Sequence, residues 1–191
     1  MQIPKIVLTG GPCAGKTTAK AYLSEKLTEL GYYPIFVPEG ASTVINAGIV
    51  PNSTACSLHV FQSGVVDMVI SLEAQFDRIA SRIHHPKPII ICDRGIMDSE
   101  AYMPKSMFHD VLRERGLDMS TARDARYLGV FHLRSAALGA EEFYTLANNS
   151  ARRETLAEAK EVDEATLRAW VGHPHVSVIG NEGRTFEQKL H

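Results

Sequence analysis

Apolar and polar positions along the chain fall into two alternating kinds of segment. Five short apolar runs have the length of buried strands, and they cover residues 3–9, 33–38, 88–92, 126–134 and 175–179. Elsewhere apolar side chains recur every three or four residues, most clearly from Leu58 to Ile79, which is the spacing of one helix face. Strands that alternate with helices predict an α/β fold with a five-stranded parallel sheet and helices on both faces.

Local signals refine this pattern. Pro34 and Pro38 bracket the second strand and place it near a sheet edge, because proline cannot donate to a strand ladder. Residues 40–55 are small and turn-forming, so we expect a mobile loop over a binding site. The candidates for the cap of the long helix are Ser53 and Thr54, and Ser135 is the candidate cap of a helix starting at Ala136. Capping-box spacing marks a helix from Thr155, and another helix is expected from Thr185.

A glycine-rich loop follows the first strand and precedes the first helix. It consists of Gly10, Gly11, Pro12, Cys13, Ala14, Gly15, Lys16, Thr17 and Thr18, and it fits the Walker A pattern G-x-x-x-x-G-K-[ST]. Glycines let consecutive N–H groups converge on phosphate oxygens, and the helix N-terminus adds partial positive charge. Lys16 would reach the β- and γ-phosphates, and the Thr17 hydroxyl would bind Mg²⁺. The alternative is a plain strand-to-helix turn with an exposed lysine, but the context favours binding of a nucleoside triphosphate.

Charged residues follow two other predicted strands at the end that faces the ligand crevice of a parallel sheet. Asp93 ends the third strand, as in a Walker B motif, and would hold Mg²⁺ directly or through water. Arg94 comes next, with a planar fork suited to a phosphoryl group or to the acceptor. Glu39 follows the second strand and is placed to meet an acceptor hydroxyl. The alternatives are a solvent-facing carboxylate for Glu39 and a simple Asp-Arg-Gly turn.

Four further positions are weaker candidates. Arg152 and Arg153 follow a polar turn, and they belong either to a lid of roughly 141–156 that closes on the transferring phosphates or to a basic helix terminus. Gln62, beside Phe61, either contacts the edge of a base or is an exposed helix glutamine. Asn181 follows the fifth strand, where its amide is placed to contact a purine.

Composition sets outer limits on function. A length of 191 residues predicts one domain, residues 1–191, and a net charge of −2 argues against nucleic-acid partners. The apolar runs are too short to cross a bilayer, and a strand that begins at Ile3 leaves no room for a signal peptide. Three cysteines without C-x-x-C spacing favour a reduced, cytoplasmic setting, and the eight histidines lack the spacing of a transition-metal site.

Several motifs together resemble one family. These are Leu8–Thr18, Val37-Pro38-Glu39, Phe61-Gln62, Ile91–Gly95, and Phe143-Tyr144 with Asn148-Asn149 and Arg152. They are similar to the AAA-28 domains, a P-loop NTPase group that includes ribosylnicotinamide kinase domains and the nucleotide-binding domain of the TRPL-translocation-defect protein. Deoxynucleoside and thymidylate kinases are more distant. The resemblance implies a nucleoside-kinase-like fold that binds ATP or GTP with Mg²⁺. It also implies that Glu39 matches a carboxylate that meets the acceptor hydroxyl.

Two functional hypotheses follow. The first is a kinase that transfers a γ-phosphoryl group to a nucleoside-like hydroxyl, with Phe61 and Gln62 at the acceptor. Its catalytic residues would be Lys16, Glu39, Asp93, Arg94, Arg152 and Arg153. The second is a nucleotide-dependent switch or GTP-binding regulatory module, whose loop and lid order around the γ-phosphate and present a surface to a protein partner. A mechanical AAA+ motor is excluded, because Arg94 stands where an acidic residue would activate water.

Overall fold

A computed structural model of the protein describes residues 3–144, 155–183 and 185–190. The strands are β1 (Lys5–Gly10), β2 (Tyr33–Val37), β3 (Pro88–Asp93), β4 (Gly129–Leu133) and β5 (Val176–Ile179). The helices are α1 (Lys16–Glu29), α2 (Gly40–Asn46), α3 (Leu58–Ala80), α4 (Lys105–Glu114), α5 (Leu156–Trp170) and α6 (Phe186–Leu190). Short 3₁₀ segments cover Ile96–Tyr102 and Glu141–Phe143, and a single π turn covers Ser120–Asp124.

The five strands form one sheet in the order β2-β3-β1-β4-β5, and every neighbouring pair is parallel. This confirms the predicted α/β fold and the edge position of β2. From β1 the chain crosses to β2 at one edge, returns to β3 beside β1, and then crosses to β4 on the other side of β1. The strand order therefore reverses at β1, and a crevice opens there at the carboxyl ends of the strands. The phosphate loop begins at the end of this central strand.

Helices cover both faces of the sheet, and each face has its own apolar core. The larger core lies under α3, α4 and α5, and its most deeply buried members include Val7, Ile90, Met97, Phe108, Val111 and Trp170. The smaller core lies under α1 and includes Leu8, Ala19, Ile91 and Leu133. β3 contributes to both cores because its side chains alternate between faces, which explains why it is apolar throughout.

Three local predictions are wrong. Residues 40–46 of the expected loop form α2, which packs so closely on α3 that a Cβ on Gly40 would lie 2.8 Å from Val69 Cγ2. The cap of α3 is Ser57, whose Oγ accepts from the N–H of Val60 at 3.3 Å, and not Ser53 or Thr54. Ser135 precedes turns and not a helix, since its buried hydroxyl bonds Pro12 of the phosphate loop. For α2 and for Ser135, a tertiary contact that no local pattern encodes takes precedence.

Other local predictions are confirmed. The capping box of α5 is formed by Thr155 and Glu158, whose carboxylate accepts from the N–H of Thr155 at 2.7 Å. α1 ends just before Gly31, which adopts a positive φ of 79°. No helix in the described ranges is both long enough and apolar enough to cross a membrane.

Candidate functional site: the phosphate loop and the strand ends beside it

The phosphate loop has backbone angles that its glycines make possible. Gly10 has a φ of 143°, and a Cβ there would lie 2.0 Å from the carbonyl oxygen of Leu133. Gly15 has a φ of 85° and forms the N-cap of α1. The loop therefore turns tightly from β1 into the N-terminus of α1, where N–H groups and the helix dipole favour an anion.

The outer side of the loop is fastened to the rest of the protein by four consecutive residues. The N–H of Gly11 donates to Asp163 Oδ1 at 2.9 Å, and the carbonyl of Pro12 accepts from the Ser135 hydroxyl. The next two carbonyls, of Cys13 and Ala14, accept from Ala136 N at 3.2 Å and from Lys189 Nζ at 3.1 Å. The partners come from three separate parts of the chain, and sequence analysis missed all of them as site residues.

Lys16 points back over the loop, with its Nζ 3.5 Å from the carbonyl oxygen of Gly10. Burial, together with the nearby positive charge of Arg94, lowers the pKa of Lys16 to about 8, although Asp93 and Glu39 act in the opposite direction. An ammonium in this place can contact the terminal phosphates of a nucleotide.

Glu39 and Arg94 lie at the ends of the neighbouring strands β2 and β3, and the fold brings their side chains together. Arg94 Nε lies 2.7 Å from Glu39 Oε1, and Ser42 Oγ donates to Glu39 Oε2 at 2.7 Å. Burial favours the neutral form of Glu39, but the positive charges of Arg94 and Lys16 and the bond from Ser42 lower its pKa to about 2. Glu39 is therefore a fixed, ionised carboxylate beside the phosphate loop.

Asp98 holds Arg94 from the other side. Its Oδ1 lies 3.1 Å from Arg94 Nη1 and also accepts from the Thr9 hydroxyl, while its Oδ2 accepts from Trp170 Nε1 at 3.3 Å. Asp98 is 3 % exposed. The N–H of Gly95 is a fourth donor to its carboxylate, beside Arg94, Thr9 and Trp170, and these four bonds fix its position. Sequence analysis missed Asp98 because no motif spacing distinguishes it from other acidic residues in the polar stretch after Asp93.

Asp93 offers one free carboxylate oxygen to a cation. Lys20 Nζ bonds its Oδ2 at 2.6 Å, while its Oδ1 is buried without a hydrogen-bond partner among the described residues. Thr17 is exposed on the first turn of α1. Oxygen ligands of this kind fit Mg²⁺, which would complete its shell with phosphate oxygens and water and would neutralise phosphate charge. The described ranges contain no group of three or more His, Cys, Asp or Glu side chains that could hold a metal ion.

The predicted base and acceptor contacts are placed as follows. Phe61 and Gln62 are buried on α3, with 5 % and 6 % exposure, so Gln62 is not an exposed helix residue. The amide of Asn181 donates to the carbonyls of Ser135 and Leu138, both at 2.7 Å, and accepts from Lys189 Nζ at 2.7 Å. Contact of Asn181 with a purine would require these bonds to break, and it stays a prediction.

The remaining predictions concern the lid. Arg152 and Arg153, and residues 145–154 in general, lie outside the described residues. Of the predicted lid, the described part comprises the 3₁₀ segment Glu141–Phe143, Tyr144 and the start of α5.

Comparisons with known proteins agree with this geometry. A model of the AAA-28 family, described as an AAA domain, matches residues 5–188. Among solved structures, the chain is similar to thymidylate kinase from Candida albicans, with a TM-score of 0.58 and 15% identity over 99% of this chain and 88% of the kinase chain. At that identity the likeness concerns the fold alone. No curated protein matches the chain. The phosphate loop, the parallel sheet and the match over nearly the whole sequence lead to one conclusion: the chain belongs to the AAA-28 family and has the fold of a P-loop nucleotide kinase.

Proposed function

We propose that this protein is a kinase that transfers the γ-phosphoryl group of Mg²⁺·ATP or Mg²⁺·GTP to a hydroxyl of a small, nucleoside-like molecule. The observation that carries the proposal is the pair formed by Glu39 and Arg94, with 2.7 Å between Oε1 and Nε, next to the phosphate loop. A carboxylate kept ionised at this place can accept the proton of an acceptor hydroxyl.

Each of the candidate site residues has a separate role in the proposed phosphoryl transfer. Lys16 contacts the terminal phosphates, and Asp93 with Thr17 holds Mg²⁺. Arg94 spreads its charge between Glu39 and the transferring group, which stabilises negative charge in the transition state. Glu39 orients the acceptor hydroxyl and takes its proton. Phe61 and Gln62 line the acceptor side, and Arg152 and Arg153 are candidates to close over the phosphates.

The nucleoside-like acceptor is inferred from the family resemblance. Phe61 packs with Val44 and Val65 in a small apolar cluster between α2 and α3, and all three side chains are almost completely buried. They belong to the core, and contact of Phe61 and Gln62 with an acceptor stays a prediction.

The test is the release of ADP or GDP by the wild type and by Glu39→Gln. Each triphosphate is supplied alone and then with pooled ribonucleosides, deoxynucleosides and nicotinamide riboside. We expect one pool to stimulate turnover, and Glu39→Gln to lose about 10²–10⁴-fold of that stimulation while keeping its nucleotide affinity. The control is Glu29→Gln, since Glu29 is exposed and, among the described residues, pairs with Lys26 on α1. Unchanged stimulated turnover in Glu39→Gln would refute the assigned role.

The alternative function is a nucleotide-dependent switch or GTP-binding regulatory module. It predicts tight nucleotide binding, slow hydrolysis and no response to any acceptor pool, together with protease sensitivity that differs between the di- and triphosphate forms. That combination of results would favour the switch and direct the search to a protein partner.

A further inference from the structure

The rear of the phosphate loop rests on α5 at one point. The Asp163 side chain is completely buried, and its Oδ1 accepts from the N–H of Gly11 at 2.9 Å and from the N–H of Ser135 at 2.8 Å. The loop lies so close that a Cβ on Gly11 would be 2.7 Å from Asp163 Cβ. One carboxylate oxygen thus joins the phosphate loop to the turn that follows β4.

The environment of Asp163 keeps this oxygen in place. Arg134 Nη1 lies 3.2 Å from its Oδ2, and His132 Nε2 lies 3.3 Å from its Oδ1. The Ser135 N–H that Asp163 binds belongs to the residue whose hydroxyl bonds the carbonyl of Pro12, so the two contacts brace adjacent residues of the loop. Because Asp163 is completely buried among these partners, it has no exposed surface with which to touch a nucleotide.

We propose that Asp163 is a positioning residue that holds the phosphate loop in the shape that binds nucleotide phosphates. A glycine-rich loop has many accessible conformations, and ordering it on binding would cost affinity. The hydrogen bonds to Asp163 form when the protein folds, so the loop is already ordered and nucleotide binding does not have to order it. This inference rests on the nucleotide binding in the proposed function but not on the transfer reaction.

Helix α5 also contacts the part of the site around Arg94. Trp170 follows Asp163 by seven residues, or two helical turns, and its Nε1 donates to Asp98, which holds Arg94. One face of α5 therefore fixes both the phosphate loop and the arginine beside it. A substitution of Asp163 tests the phosphate loop without disturbing Arg94, because Arg94 is held by Asp98 and Glu39 and not by Asp163.

The experiment compares the Kd of a fluorescent ADP or GDP analogue for the wild type, Asp163→Ala, Asp163→Asn and Glu164→Gln, well below each melting temperature. Asp163→Ala loses the oxygen that accepts from both N–H groups and should bind about tenfold more weakly or worse. Asp163→Asn keeps an amide oxygen that can accept both N–H groups, but its NH2 group would face Arg134, so its Kd should lie between those of the wild type and the alanine variant. Glu164 pairs with the same Arg134 but does not touch the loop, so Glu164→Gln should bind normally.

Kinetics separate positioning from a general loss of structure. A residue with only a structural role would lower the melting temperature and the active fraction but leave the Kd of the folded protein unchanged. In Asp163→Ala we expect the KM for the triphosphate to rise and the KM for the acceptor to stay constant.

Four outcomes decide between these possibilities. An Asp163→Ala Kd within about twofold of wild type would overturn the inference, as would an Asp163→Asn Kd as weak as that of the alanine variant. If the alanine variant does not fold, the asparagine variant decides, and a Kd about tenfold weaker than that of the wild type would overturn the inference. Absence of binding by the wild type would refute the proposed function instead.

Discussion

Glu39 Oε1 and Arg94 Nε lie 2.7 Å apart, although the two residues are separated by 55 positions in the sequence. The contact exists because β2 and β3 are parallel neighbours whose carboxyl ends meet at the same edge of the sheet. Each side chain is also held by a second partner, Ser42 for Glu39 and Asp98 for Arg94. A pair fixed on both sides provides a pre-organised charge beside the phosphate loop, which is what transition-state stabilisation requires.

Arg94→Lys should lower kcat/KM for the acceptor reaction by about a hundredfold, because one ammonium cannot bond two carboxylates and a phosphoryl group as the guanidinium fork does. Steady-state kinetics with the acceptor identified by the pool assay measure this loss. The matched control is Arg113→Lys, since Arg113 is exposed on α4 and pairs with Asp110. Equal losses in the two variants would contradict the assigned role of Arg94.

Asp93→Asn should raise the Mg²⁺ concentration needed for half-maximal nucleotide binding by about ten- to a hundredfold. The reason is the buried, unpartnered Oδ1 of Asp93, whose negative charge is suited to a divalent cation. Nucleotide binding is titrated with Mg²⁺ and repeated with a chelator present. Asp67→Asn is the control, because Asp67 pairs with Arg115 on the surface of α3. A Mg²⁺ requirement that does not change in Asp93→Asn would show that Asp93 does not bind the metal.

Nucleotide affinity should fall as the pH rises through about 8, because burial lowers the pKa of Lys16 to about 8 and the neutral amine no longer attracts phosphate. The effect on stability has the opposite sign. Between pH 8 and the ordinary lysine value of 10.5, the unfolded chain binds more protons at this residue than the folded protein, so its contribution to stability rises with pH.

Kd measured across this pH range tests the prediction. Lys16→Arg is the control, since a guanidinium stays protonated there and should give a flat profile, though with weaker binding. Lys189, whose pKa burial also lowers to about 8, is still present in that variant. A break in the profile that persists in Lys16→Arg would therefore assign the effect to another group.

Glu73→Ala should lower the free energy of unfolding by about 3–5 kcal/mol, because it leaves buried positive charge without its partner. Glu73 is completely buried on α3, where it pairs with Lys5 at 3.2 Å and Arg126 at 2.9 Å and accepts from the Tyr127 hydroxyl at 2.8 Å. Denaturant unfolding measures the loss. The cluster lies at the start of β1, away from the loop, so nucleotide affinity of the folded variant should not change.

Asp77→Ala provides the comparison for that measurement. Asp77 pairs with the same Lys5 at 2.7 Å, but its side chain is 43% exposed. Exposed ion pairs contribute at most about 1 kcal/mol, so this variant should remain close to wild type. Similar losses in Asp77→Ala and Glu73→Ala would show that burial does not set the strength of the cluster.

The fold could be predicted in outline because its signals are local. Each strand is a short apolar run, α3 carries an apolar face, and α5 begins at a capping box, all of which are visible in the sequence. Two of the failures share one cause, a tertiary contact that local composition does not encode. Ser135 has the sequence signature of a helix cap, but it lies buried against the phosphate loop, and residues 40–46 have loop composition, but they gain a packing surface on α3.

The sequence by itself determined the phosphate loop, because glycine angles, the lysine and the helix start are set within nine consecutive residues. It also placed Glu39, Asp93 and Arg94 at strand ends, since parallel strands present their carboxyl ends to one crevice. Only the tertiary structure decided their partners. Asp98, Asp163 and Lys20 are ordinary charged residues in sequence, and their positions at the site depend on how distant helices pack. Spacing along a chain encodes local geometry, whereas contacts across the sheet depend on packing.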